Sequence, residues 1–347
     1  MIDLRPSPDQ QSVIDSISGY LGRHFPLDRF QPNKADNAGK TVRAAWPEIA
    51  EQGFLGLSAP EEIGGAGFTI VEEMLAHREF GRALLSPSVL ATVLAVHLAH
   101  ETGLAPLAAS LARGERLVAL ASGTGFISPG SAVDGAMHIA DSQAGDLVLV
   151  NCADGLALIE RDDLTDMAGV APVDETVSLH HARAKAVNTI ACAAGSQTRS
   201  RQRITLLIAA SLTGIAEATR DLAVAHAGIR EQFGKTIGSF QAVAHHCADM
   251  ELRARAARAE TAFAALGLRD GRADAPFHVL SAAIVAADAA IQNATIAIRI
   301  HGGMGFTAEC PVQFYLKRAH LYERMAGGVR SLQSQLLQQP AALNAKS

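Results

Sequence analysis

Apolar positions recur at helical steps along most of the chain. Val13, Ile14, Ile17 and Leu21 predict a helix over about Pro8 to Leu21. Asp28 to Thr41 is polar and reads as loop. A short helix follows over Val42 to Gln52, around Trp46 and Ile49, and Gly53 ends it. Pro60 and the glycines Gly64, Gly65 and Gly67 then make a turn-rich loop, and Thr69 is placed to cap a helix over Val71 to Arg82. Two more helices are expected, over Val89 to Glu101 and Ala105 to Arg113. From Arg116 the period changes. LVALAS, DLVLV and GLALIE are short apolar runs between Gly, Asp and Ser, which are strand signals. From Ser196 the helical period returns with Ile204, Leu207, Ile208, Ile215 and Leu222 in a helix running to about Ile229. A second covers Phe240 to about Leu268. A third is capped by Asp274, with Pro276 just inside, and runs to His301. A last helix covers roughly Leu332 to Leu337, its start left open. Long helices with short connections predict a four-helix bundle. The expected fold is mainly α: an N-terminal helical domain over 1–115, a small β-rich middle domain over 116–195, and a C-terminal four-helix bundle over 196–347.

Composition fits this division. The 347 residues are 48% apolar and only 5% aromatic, which favours helix bundles over a β-sandwich and allows a large core. The net charge of −5, with no long basic run, argues against a nucleic-acid partner. Four scattered cysteines, Cys152, Cys192, Cys247 and Cys310, read as reduced thiols of a cytoplasmic protein, not as a zinc site or disulfide frame. Met1 to Arg23 has no signal-peptide pattern, and no uninterrupted apolar run reaches about 18 residues, so no membrane span is expected. His138, His180 and His181 lie in the β-rich part without carboxylates at ligand spacing, and no metal is expected there.

The richest chemistry lies between Arg230 and Met250, REQFGKTIGSFQAVAHHCADM. Arg230 is a permanent cation with a fork of donors suited to a diphosphate or carboxylate. Phe233 offers a flat face for a ring, and Gly234 and Gly238 separate two helices. Ser239 suits an N-cap for a helix starting at Phe240, which puts Gln241 in a first turn where the dipole favours an anion. These parts fit a phosphate-bearing flat cofactor. They equally fit an ordinary helix–turn–helix in which Arg230 pairs with a surface carboxylate and Phe233 is core.

The pattern R-x-x-F-G-K-x-I-x-x-F-Q-A-V-x-H-x-x-A-D-M resembles the acyl-CoA dehydrogenase family. A second stretch, IRIHGGMGFTAECPVQFYLKRA, is similar to the family's Q-x-x-G-G-x-G and the short basic helix after it. Gly302, Gly303 and Gly305 match, and Arg299 stands where the family has glutamine. Trp46 to Gly67 is similar to the family's N-terminal W…G…L-x-x-P-E-x-x-G-G-x-G signature. The resemblance covers about residues 40 to 340. It implies FAD as cofactor, with Arg230 and Gln232 near the diphosphate, Phe233 against the cofactor, Gln241 at the helix start, and Arg299, Gly302 and Gly303 beside it, all serving the FAD of a neighbouring subunit. Arg203 lies about two residues before a substrate-contacting arginine of the family. The middle domain departs from the pattern. LASGTGFISPGSAV stands where the family has its T-E-P-x-x-G-S loop, and AMHIADSQAGD is the nearest stretch to its W-I-T-N segment, so the domain reads as shortened.

Family members remove an α-proton from an acyl-CoA thioester with a buried glutamate and pass the β-hydrogen to flavin. Here the usual glutamate position falls on Ala326 or Gly327, the hydroxyl that contacts the chain's own FAD on Gly328 or Val329, and the alternative base position near Ile204. Glu323, one helical turn earlier, is the remaining candidate base, with pairing to Arg324 or Lys317 as its structural alternative. Residues serving a neighbour's FAD are kept and those serving the chain's own FAD are lost. The resemblance therefore implies the base-less subunit of a heteromeric acyl-CoA dehydrogenase, a heterotetramer of the kind found in actinobacterial sterol side-chain degradation. The expected partners are an acyl-CoA, a second acyl-CoA dehydrogenase chain and an electron-transferring flavoprotein. The alternatives are a self-sufficient homo-oligomer using Glu323, a non-enzymatic scaffold relative, and an acyl-CoA oxidase or hydroxylase on the same fold.

Overall fold

The computed structural model describes residues 4–30, 38–123, 126–128, 132–143, 145–152, 154–195 and 198–340, and of 38–41 the backbone only. The described chain divides into two compact units. One gathers residues within 36–73 and 86–205, the other residues within 1–35, 74–85 and 206–347.

The first unit holds α2 (Ala38–Glu51), the start of α3 (Ile70–Arg82), α4 (Pro87–Glu101) and α5 (Ala105–Ala112), with a sheet after them. Trp46 is buried and its indole N–H donates to the Gly114 carbonyl at 2.9 Å, which ties α2 to the end of α5. Thr69 caps α3 as expected. Its hydroxyl accepts the Val71 N–H, and Glu72 accepts the Thr69 N–H at 2.9 Å. Helix α4 is buried from Pro87 to Ala99, and Thr92 accepts the N–H of Val118.

The sheet has eight strands: β1 (Val118–Gly123), β2 (Phe126–Ser128), β3 (Ala132–Ala140), β4 (Leu147–Cys152), β5 (Gly155–Glu160), β6 (Thr165–Val170), β7 (Leu179–Asn188) and β8 (Ala191–Ala194). Their order is β6-β7-β3-β1-β4-β5-β8, with β2 paired to β3, and β1–β4 is the one parallel pair among the described strands. The three apolar runs are β1, β4 and β5. Central β4 is buried at every position, as a strand covered on both faces must be. Of AMHIADSQAGD, residues 136–140 are the end of β3 and 141–143 form a turn. There the buried Asp141, at φ +56°, accepts from the Ser178 N–H and the Ser86 hydroxyl. His138 and His181 are cross-strand partners, 5.6 Å apart edge to face. Part of the T-E-P-x-x-G-S counterpart, residues 124–125 and 129–131, lies outside the described residues.

The second unit is helical. It holds α1 (Pro8–His24), with a Ser7–Gln10 capping box, the end of α3, most of α6 (Arg199–Ile229), α7 (Gln241–Arg269), α8 (Ala275–His301), α9 (Val312–Met325) and α10 (Val329–Leu336). A hairpin of β9 (Glu231–Gln232) and β10 (Lys235–Thr236) separates α6 from α7. Buried Asn293 of α8 donates to the Ala216 carbonyl of α6 at 3.1 Å and the Met250 carbonyl of α7 at 2.9 Å, which fixes three bundle helices together. Buried Glu217 is flanked by Arg78, Arg82 and Arg258 at 3.6, 3.5 and 3.2 Å. Two glycines bring α3 and α6 backbone to backbone. A Cβ at Gly81 would lie 2.0 Å from the Ser211 carbonyl oxygen, and one at Gly214 would lie 1.9 Å from that of Arg78.

Two sequence expectations need correction. Ser239 is not the cap of α7. Phe240 occupies that position, the helix starts at Gln241, and the Ser239 hydroxyl donates instead to the Thr236 carbonyl at 2.7 Å. Asp274 does precede α8, but its carboxylate is held by Arg272 at 2.6 and 2.9 Å and caps no helix N–H. By length and composition residues 275–306 would suit a membrane span. The few polar residues of α8 kept it from forming an uninterrupted apolar run, and 61% of the window is buried inside the protein.

Candidate functional site

The hairpin after α6 is a tight two-residue turn. Phe233 and Gly234 both have positive φ, +54° and +74°, which is the geometry that closes a two-residue hairpin. Phe233 is therefore presented outward. It is 92% exposed, which removes the alternative that it is core. Its ring meets that of Phe240 edge to face at 6.2 Å, and the Lys235 ammonium lies 4.3 Å from the Phe240 ring centre. Arg230 is exposed, and its guanidinium makes no ion pair or hydrogen bond among the described residues, which removes the surface-carboxylate alternative. Gln232 donates to the Glu231 carbonyl. Gln241 is exposed as the first residue of α7. The Val243 and Ala244 N–H groups already bond the Phe240 carbonyl, so the orphan donors of the helix start are those of Gln241 and Ala242.

The glycine turn after α8 lies beside this hairpin. His226, one turn before Arg230, stacks on His301 with ring centres 4.2 Å apart. The Arg230 N–H bonds the His226 carbonyl, and Gly302 follows His301 directly, so the two motifs meet at this imidazole pair. The local field is positive. Burial, His301 and Arg230 together push the His226 imidazole below its ordinary pKa. Arg299 is exposed and, like Arg230, unpaired among the described residues.

Gly302 needs its φ of +64° to end α8, but Gly303 has no such need. A Cβ on either would meet nothing within 4 Å, whereas a Cβ on Gly305 would meet the Ile298 carbonyl at 2.5 Å. Gly305 is thus explained by this chain's packing. Gly303 is left as a site where something outside the chain can approach the backbone closely. Two free cations, a bare helix start and an open glycine pair suit the diphosphate of a flavin dinucleotide. Ile229, Leu252, Met304 and Phe306 are also exposed, at 80%, 66%, 52% and 74%.

The expected base position carries no acid. Ala326 is the buried residue that ends α9, and Gly327 and Gly328, at φ +100° and +84°, turn the chain into α10. Glu323 reaches neither Arg324 nor Lys317. Its Oε1 accepts the Val329 N–H at 2.8 Å and so caps α10.

Arg203 of α6 lies in the other unit, in a cluster that sequence reading missed. Its Nη1 donates to the Ser58 hydroxyl at 2.9 Å and to Glu73 Oε2, and lies 3.0 Å from His97 Nε2. Glu73 Oε1 also accepts from the Ser58 hydroxyl and the His97 ring, both at 2.8 Å. All three charged or ring side chains are buried. No local pattern marks this cluster, because its members come from four segments of the chain. Among the described residues no group of His, Cys, Asp and Glu is arranged to hold a metal ion.

Residues 7–115 match the acyl-CoA dehydrogenase N-terminal domain, and residues 199–339 match the acyl-CoA dehydrogenase C-terminal domain. The chain is 29% identical to acyl-CoA dehydrogenase IpdE2 of Mycobacterium tuberculosis over 97% of its own length and 100% of the relative's. It is 31% identical to IpdE2 of Mycolicibacterium smegmatis, covering 93% and 96%. Its fold superposes on a chain of the ChsE4-ChsE5 complex of Mycobacterium tuberculosis with a TM-score of 0.80, at 22% identity, covering 98% and 100%. With both terminal domains matched and relatives aligned over nearly their whole length, the chain belongs to the acyl-CoA dehydrogenase family.

Proposed function

We propose that this chain is the FAD-completing subunit of a heteromeric acyl-CoA dehydrogenase, a flavin-dependent CH–CH oxidoreductase of lipid or sterol side-chain degradation in the cytoplasm. The observation that carries this reading is the contrast between its two flavin-related ends. The hairpin and glycine turn offer free Arg230 and Arg299, exposed Phe233, the bare start of α7 and open space over Gly302 and Gly303. The turn at Ala326, Gly327 and Gly328 offers no acid or hydroxyl, and Glu323 is engaged as a cap.

In this reading Arg230, Arg299 and the N–H groups around Gly302, Gly303 and Gln241 neutralise and orient the diphosphate, and Phe233 packs on the cofactor. Bound flavin supplies hydride acceptance. The α-proton is taken by a carboxylate of the second, glutamate-bearing chain, and Arg203 is a substrate-side residue. Exposed apolar side chains such as Ile229 and Phe306 are available for that chain to cover. Acyl-CoA is the substrate and an electron-transferring flavoprotein the acceptor.

The test is the visible spectrum of the purified chain, alone and co-expressed with a glutamate-bearing family member from the same cell. The expected result is a colourless lone chain and a yellow pair with one FAD per two chains. A lone chain that carries one FAD and bleaches with an acyl-CoA would refute the heteromer and move the base to Glu323.

A further inference from the structure

The Arg203 cluster is built more elaborately than an ion pair needs. Glu73 and Arg203 are 1% and 10% exposed at the side chain, and His97 is 8% exposed. A buried pair of this kind rarely adds stability over apolar residues of the same volume, so its retention asks for another role. The guanidinium is also used on one side only. Among the described residues its hydrogen bonds come from Nη1, to Ser58 and Glu73, with His97 Nε2 packed 3.0 Å from the same nitrogen. Among the described residues its buried Nε–H has no partner, and Nη2 makes no bond either. The Nε–Nη2 edge is the flat, two-donor side of arginine that matches the two oxygens of a carboxylate. Glu73, Ser58 and His97 grip the opposite corner and fix the plane of the fork, so the free edge is held in one orientation.

We propose that this edge is a specificity site for an acyl group that carries a carboxylate, and that the substrate is a carboxyl-bearing acyl thioester instead of one with a plain alkyl chain. The inference rests on the reading of the chain as an acyl-CoA-processing subunit with Arg203 on the substrate side. Glu73 has the opposite task. It accepts from Arg203, Ser58 and His97 at once, so it serves as the anchor of the arginine, and it is a poor candidate for a base.

The test uses the co-purified flavin-loaded complex and matched thioesters. Glutaryl-, adipoyl- and pimeloyl-CoA are each compared with the methyl-terminated thioester of equal length by isothermal titration. At least one carboxylated probe is expected to bind about 10- to 100-fold tighter than its partner, the range of a charge-assisted hydrogen-bonded pair. Arg203→Lys keeps the charge facing Glu73 but lacks the two-donor edge, so it should bring that ratio to near one. Equal affinities in the wild type overturn the specificity site and leave the flavin-sharing reading standing. So does a preference that Arg203→Lys leaves intact. Should Arg203→Lys fail to fold, the wild-type ratio still decides. A flavin-loaded complex that binds neither class of thioester refutes both readings.

Discussion

The helix crossing at Gly81 and Gly214 gives a prediction whose sign is set by tertiary structure against local propensity. Alanine is the better helix former by about 1 kcal/mol, so Gly214→Ala in the middle of α6 would stabilise an isolated helix. In the protein the new Cβ would lie 1.9 Å from the Arg78 carbonyl oxygen and 2.9 Å from the Arg82 nitrogen. Carbon–oxygen contacts settle near about 3.3 Å, so α3 and α6 must part by roughly 1.4 Å. Both partners are backbone, and no rotamer change relieves the contact. Overpacking of this kind costs about 1–3 kcal/mol and exceeds the propensity gain in most cases. Separation also stretches the Arg78–Glu217 contact, already 3.6 Å. The expected net loss is up to about 2 kcal/mol, a fall of about 2–4 °C in Tm per kcal/mol for a unit of this size. Gly81→Ala should behave alike, and the double variant should lose less than the sum, because one displacement relieves both clashes. Gly228 is the internal control. It lies on the same helix, and a Cβ added there would meet nothing within 4 Å, so Gly228→Ala should be neutral or stabilising by up to about 1 kcal/mol. Thermal and urea unfolding followed by circular dichroism, at fixed protein and flavin concentration, measures all four. If Gly214→Ala is as stable as Gly228→Ala, the close crossing is wrong.

Three further outcomes test the site and its surroundings. Arg230→Ala removes an exposed, unpaired cation, so stability should stay within about 0.5 kcal/mol while FAD or ADP binding to the complex weakens about 10-fold or more, read by fluorescence titration. Glu323→Gln should lower stability by about 0.5–1 kcal/mol through a weaker cap and leave turnover of the complex within a few-fold; a loss of several orders of magnitude would identify Glu323 as the base. The hydrogen bond from Arg272 holds the Asp274 carboxyl below its usual pKa. A carboxyl depressed in the folded state contributes stability above its unfolded value of about 4 and loses it as pH falls through the folded one. The stability gap between wild type and Asp274→Asn should therefore be open at pH 7 and close below about pH 4 in urea titrations.

Much of this protein was fixed by local pattern. The helical steps of Val13 to Leu21 and Ile204 to Leu222, the runs LVALAS, DLVLV and GLALIE, and the punctuation at Gly53, Thr69 and Pro276 each state their element, because amphipathic period and cap chemistry act within a few residues. The break between α6 and α7 was legible at Gly234, because a turn at φ +74° favours glycine, but the two short strands that make it a hairpin were not. Strands β3, β6 and β7 were not legible. β6 is exposed throughout and β7 reads LHHARAKAVN, so neither has an apolar run, and their partners in the sheet define them. The cap position of α7 falls on Phe240 and not on Ser239, which lies in the turn before the helix and donates its hydroxyl to the Thr236 carbonyl. Only tertiary structure could show that Phe233 is exposed, that Glu323 caps α10, or that Gly81 and Gly214 admit a second backbone. It alone gathers Ser58, Glu73, His97 and Arg203, which lie up to 145 residues apart, around one guanidinium corner. Sequence period reports what a residue does to its neighbours along the chain. Buried charge, close backbone approach and free donor edges are set by neighbours across the fold, and no local pattern encodes them.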